Sequence, residues 1–261
     1  MTETARMLAV RMDLAWTEFE PLRDAFINLS DEWSNRSVTE PRPDGVSYLI
    51  KARPGTVDPL LRVKTGAVIH EVRATLDNLA WGLAVRVKRN PGHVSFPIAT
   101  SAGGFANTQW AQVLSGDPAR AAVEALQPYN RADARCLRTL HRLWNHDKHR
   151  VAPILPVIPA RATFVWKANA PHGKVTPYWS RRGKTVHHDD VLAKIVMPSP
   201  LDAPPKGGIT LCPALDIGGP LTERVLPQAL FDMYRFVRQE VLPAVEPFLQ
   251  LRTHRAAPKR P

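Results

Sequence analysis

Between Pro153 and Pro220 the apolar residues of this chain stop recurring every three or four positions and begin to alternate, and that switch limits what the chain can fold into. Upstream, Leu8, Met12, Ala15, Trp16, Phe19, Leu22, Phe26 and Leu29 follow helical spacing over residues 3 to 34, with a kink expected at Pro21. A second long helix is predicted from Asp58 to about Lys88, Asp58 capping it and Pro59 filling its first position. Inside the switched region, Thr163 to Lys167, Val175 to Trp179, Val191 to Met197 and Ile209 to Leu215 read as four strands between Pro and Gly turns. Helical spacing returns in Leu226 to Leu249. Helices flanking a β-rich stretch give an α+β fold, a helical bundle with an antiparallel β element inserted before the last helix.

The division expected is residues 1–152 plus 222–250 as the bundle, carrying a β-hairpin at 37–55, and 153–221 as the β-rich insertion. The hairpin follows from Pro41-Arg-Pro-Asp-Gly45, a turn between Val38 and the alternating Val46, Tyr48 and Ile50. Short helices are expected around Trp110 and from Ala119 to Leu126. A further helix should run from Asn130, which with Asp133 resembles a capping box, to about Ala152. Residues 251–261 read as a basic disordered tail.

The longest apolar runs, such as Ala152 to Pro159, are broken by proline and fall short of the roughly 20 residues a membrane helix needs. The first residues mix Glu3, Arg6, Arg11 and Asp13 among apolar ones, the pattern of an amphipathic helix rather than a secretory signal. Cytoplasm, without membrane attachment, is the expected location. Cys136 and Cys212 have no CxxC partner and read as buried free thiols. A formal charge of +11 suits an anionic partner, of which nucleic acid is the commonest for a basic protein.

On a helical wheel, Leu137, Leu140, Trp144 and Val151 form the buried stripe of the helix after Asn130. Arg131, Arg135, Arg138, Arg142, Asn145, His146 and His149 gather on the other side. Arg142 and His149 are two turns apart with Asn145 between them, a cluster of cations and hydrogen-bonding groups. Three readings fit it. It is a solvated basic face, a structural network that fixes the register of the bundle, or a site for phosphodiester chemistry in which His149 moves protons and Arg142 holds a phosphate. On the second helix His70, Arg73, Asp77 and Trp81 lie opposite the stripe of Val68, Val72, Leu76, Leu79 and Leu83, and an acid beside a tryptophan suggests that this face is covered. Asp77 can accept from Arg73 in its own helix, or from Arg142 or His149 across the bundle.

The stretches His70-Glu-Val-Arg73-Ala-Thr-Leu-Asp77-Asn-Leu-Ala-Trp81, Phe96-Pro-Ile98, Leu126-Gln-Pro-Tyr129 and Leu143-Trp-Asn145-His-Asp147-Lys-His149-Arg150 resemble a widespread family of bacterial proteins of uncharacterised function, itself similar to HEPN helical domains. The resemblance covers roughly residues 60 to 152. It implies an RNA-directed module, either a noncatalytic interaction or regulatory protein or a metal-independent ribonuclease acting as a homodimer, with no cofactor. In the ribonuclease, Arg142 would hold the strained phosphate, His149 would serve as acid or base toward the 2′-hydroxyl, and Asn145 would orient one of them. His70, Arg73, Asp77, His146 and Asp147 would form the supporting network. Arg73 is the alternative arginine, with Asn78 five residues on where the ribonuclease pattern calls for His.

His146-Asp147 is also the dipeptide of metal-dependent phosphohydrolases, but a downstream Asp on a facing helix is lacking. His187-His188-Asp189-Asp190 has metal-like composition, although neighbouring strand residues point to opposite faces and a loop tip suits it better. No metal site is expected, and phosphate-cradling glycine loops and the common hydrolase signatures do not occur.

Overall fold

The computed structural model describes residues 3–149, 157–165, 172–178, 185–215 and 225–249, without the side chains of 146–149, 162–165 and 206–207. Val151 and the tail at 251–261 lie outside them. The fold is α+β, with antiparallel strands, and the chain forms two units. One comprises residues 1–19, 65–150 and 229–261, the other 20–64 and 151–228, so that helices α1 (Glu3–Arg36) and α2 (Pro59–Val87) each contribute to both.

α2, which begins within residues 20–64 of the second unit and continues into the helical one, starts as its sequence dictates. Asp58 Oδ1 accepts the Leu60 N–H at 2.8 Å, satisfying one of the donors that every helix start leaves open. Val68, Val72, Leu76, Leu79 and Leu83 are all buried, as the periodicity requires. Trp110, on the short α4 (Gln109–Val113), donates its indole N–H to Ala80 O at 2.9 Å and ties that helix to α2. Asp117 caps α5 (Pro118–Ala125) through Ala119 N and also pairs with Arg86 of α2 at 2.5 Å, with both side chains largely buried. Trp16 of α1 packs against Phe231 and Tyr234 of α7 (Leu226–Phe236), and Arg238 reaches Asp13 at 3.3 Å.

Two expectations need correction here. The helix expected from Asn130 begins later, as α6 (Arg135–His149). The side-chain amide of Asn130 donates backwards to Glu124 O at 2.7 Å, and Asp133 is taken by Arg131 at 2.6 Å, so neither is available to cap. The last helix is not uniformly α: a π turn, Val237–Val241, separates α7 from α8 (Leu242–Leu249), with Leu242 N–H donating to Val237 O. It ends two residues before Pro243, which has no N–H for the ordinary ladder, so the wider turn falls where the α pattern must break.

The six strands found among the described residues all belong to the other unit. β1 (Val38–Pro41) and β2 (Ser47–Lys51) form the expected hairpin, with Gly45 at φ +69 in the turn and Asp44 accepting from Ser47 N at 2.7 Å. That hairpin does not go with the helices, as expected for 37–55. It pairs with β5 (Val191–Val196), which also pairs with β4 (Lys174–Pro177), giving an antiparallel order β1-β2-β5-β4. The physical reason is edge satisfaction: β2 alternates apolar residues and must place its second edge of N–H and C=O groups against another strand. β3 (Val157–Val165) and β6 (Lys206–Pro213) form a separate pair. Ser30 and Ser34, on the second half of α1, hold β6 through Leu211, whose O accepts at 2.6 Å and whose N donates at 3.2 Å.

Candidate functional site

The α2 and α6 faces singled out by their sequences both belong to the helical unit. Arg73 is buried, 3% exposed, and its guanidinium grips Asp77 in a fork: Nε donates to Oδ2 at 3.1 Å and Nη2 to Oδ1 at 2.7 Å. The same pair clamps the loop after α2 by both backbone groups of one residue. Phe96 O accepts from Arg73 Nη2 at 3.1 Å, and Phe96 N–H donates to Asp77 Oδ1 at 2.9 Å. Three residues on, Ala99 N–H donates to the buried Gln127 side chain at 2.8 Å, whose amide in turn donates to Val123 O. Phe96-Pro-Ile98 and Leu126-Gln-Pro-Tyr129 are thus parts of one fastening, built on a charge pair that is satisfied within its own helix. Tyr129 donates to Glu124 at 2.9 Å, and burial followed by that carboxylate pushes its phenol up to about 12.

From α6, the histidine that meets this pair is His141, which the sequence reading passed over. It lies near enough to Arg73 and Asp77 to feel both charges. Burial, and after it the Arg73 cation, holds the imidazole below its ordinary range, with Asp77 opposing. Asn145 Nδ2 lies 3.0 Å from His141 Nε2; a neutral ring accepting there carries its proton on Nδ1. His141 Nδ1 and Arg73 Nη1 are both buried without a hydrogen-bond partner among the described residues. The available signal was position: four residues before Asn145 and four after Leu137, His141 sits where the polar side of α6 borders its buried stripe.

One turn further along α6, Trp144 packs its ring 5.0 Å from that of His70, tilted by 48°. The order of these contacts, His141 beside Arg73 and Asp77 and then Trp144 beside His70, runs the two helices antiparallel. Trp144 is half-buried, while His70, Asn145 and Arg142 are exposed. His146, Asp147 and His149 complete α6, but their side chains lie outside the described residues. Arg142 and Asn145 therefore share the exposed side of α6, whereas Arg73 and Asp77 belong to a structural network that holds the loop at Phe96.

Two features depart from the sequence reading of these faces. Trp81, expected to be covered, is 54% exposed. Arg131, expected in the basic row, precedes α6 and is committed elsewhere: it pairs with Asp133 at 2.6 Å and Glu240 at 2.9 Å, and stacks over Phe236. The remaining row is Arg135, Arg138 and Arg142, all exposed and spaced by three and four residues on one side of α6. Arg135 and Arg138 have no ion-pair partner among the described residues.

The second charged group the sequence offered, His187-His188-Asp189-Asp190, lies at an exposed turn before β5 in the other unit. Asp190 accepts from His187 N at 2.8 Å, and Arg53 pairs with Asp189 at 2.7 Å. Among the described residues no group of His, Cys, Asp or Glu is arranged to hold a metal ion. Cys136 and Cys212 are buried thiols outside any disulfide, and no described helix is long and apolar enough to cross a membrane. Comparison of the chain with family models, with curated proteins and with solved structures gives no match.

Proposed function

We propose that this chain is a noncatalytic interaction protein, HEPN-like in its helical unit, that contacts RNA through the Arg135, Arg138 and Arg142 side of α6. The observation that carries this reading is the division of labour between two sets of arginines. Arg73 is buried and consumed by Asp77 and Phe96 O. The α6 row stands exposed at helical spacing on a chain of net charge +11, and Arg135 and Arg138 have no ion-pair partner among the described residues. A row of this kind tracks a phosphate backbone without needing a reacting group, because release of counterions supplies the affinity. The polar residues between α2 and α6 serve the structure: Asp77 accepts from Arg73 and from Phe96 N–H, and His141, held below its ordinary range by burial, lies against Asn145.

The test is fluorescence anisotropy of a labelled RNA over a salt series, with the full chain and with Arg135→Ala/Arg138→Ala/Arg142→Ala. Binding should weaken steeply with salt, and the triple variant should flatten the log–log slope by about 2, since each phosphate contact on a single strand contributes about 0.7. No binding by the wild type, or an unchanged slope in the variant, overturns the proposal. Cleavage of the RNA in EDTA by the wild type but not by His149→Ala would replace it with the ribonuclease reading, in which Arg142 and His149 act two turns apart on one helix.

A further inference from the structure

In the same unit as the arginine row, the α2 surface offers flat aromatic area of the kind proteins ordinarily bury. Trp81 is 54% exposed, although Trp33 and Trp110 are fully buried. It shares a side of α2 with His70, eleven residues away, or about 16 Å along the helix at 1.5 Å per residue. At the His70 end the imidazole lies against the half-buried Trp144 indole, centroids 5.0 Å apart, so a second aromatic group is held in a fixed place by its neighbour. The α2 carboxylates of this stretch do not oppose an anion: Asp77 is neutralised by Arg73, and Glu71 is bonded to Arg11 at 2.8 Å.

We infer that the RNA is taken as a single strand, with bases stacking on Trp81 and on the His70–Trp144 pair while the α6 arginines follow the phosphates. This rests on the RNA-contact reading and deepens it. A duplex presents phosphates to the arginines equally well but keeps its bases stacked on one another. An exposed indole therefore gains nothing from a duplex and a full π-face from an unpaired base. Two aromatic groups about 16 Å apart, in the same unit as the α6 cations, suit a few consecutive nucleotides of an extended strand. Stacking of this kind is tolerant of sequence, because every base has a π-face, so the strand is selected for being unpaired rather than for its letters.

The experiment uses the full chain, a labelled unstructured 16-nucleotide RNA and a duplex of the same length, read by anisotropy across salt. The single strand should bind at least about ten-fold more tightly than the duplex. Trp81→Ala should weaken single-strand binding about five-fold or more, the loss associated with one base–aromatic stack, with the salt slope unchanged. Trp81→Phe should restore most of it, and because Trp81 is exposed both variants keep the wild-type melting temperature. Binding of strand and duplex with equal affinity, or a Trp81→Ala variant that binds as the wild type does, overturns this inference and leaves the arginine contact standing. Failure of the wild type to bind either RNA overturns both, and points instead to a protein partner for the same face.

Discussion

Arg73, Asp77 and His141 in the helical unit, and Arg53, Asp189 and His188 in the strand-bearing unit, are the same three residue types gathered into two clusters. In the first, the arginine side chain is 4% exposed, its fork is filled by one carboxylate, and the histidine is pushed toward its neutral form by burial. In the second, the Arg53 and Asp189 side chains are 38% and 50% exposed, and His188 rests against Asp189 at 3.1 Å in the open. Desolvation makes the difference. A buried cation has no water to fall back on, so each of its partners becomes structurally binding, while an exposed pair exchanges protein partners for water at little cost. Residue composition alone therefore says little about which cluster matters to the fold.

The comparison breaks most sharply at Asp77. Replacing it by Ala leaves Arg73 buried without a counter-ion and Phe96 N–H without its acceptor, and should cost about 3 kcal/mol in urea unfolding. A loss under about 1 kcal/mol would mean that the loop is held by its apolar contacts alone.

A smaller effect is expected from pH. Because the folded state holds His141 below the ordinary histidine value of 6.5, the unfolded chain binds more protons as pH falls through that value. Stability contributed by the neutral ring is thus present above about pH 6.5 and declines as pH drops toward the depressed folded value. Thermal melts from pH 7.5 downward should show this decline, and His141→Gln should flatten it; an identical slope in the variant would remove His141 from the network.

The least effect belongs to the exposed cluster. Arg53→Ala should change stability by under about 0.5 kcal/mol, as befits a surface pair. A loss comparable to that of Asp77→Ala would erase the contrast between the clusters.

Much of the helical structure was legible beforehand because its signals are local. Asp58 and Pro59 start α2, and the stripe from Val68 to Leu83 repeats at the helical period; both are facts about residues a few positions apart. The α6 start was misread for a related reason. Asn130 and Asp133 are good caps by type, and each was taken by another partner, Glu124 O and Arg131. The site was half legible. A wheel identified Arg142 and Asn145 as one face and allowed Arg73 to reach Asp77, but it could not weigh His141, a boundary residue whose character depends on what α2 brings against it.

Sequence by itself determined the α+β composition, the spans of the long helices and the β1–β2 hairpin, and placed Arg73 within i,i+4 reach of Asp77, since propensity, capping and i,i+4 reach act within a turn or two. Tertiary structure alone decided that the hairpin joins β5, that Phe96 bonds to both members of the Arg73–Asp77 pair, and that Trp81 stays in solvent. Those outcomes join residues far apart in the chain, or depend on surface that no neighbour covers. They are settled by which buried polar groups and strand edges find partners once the chain has collapsed.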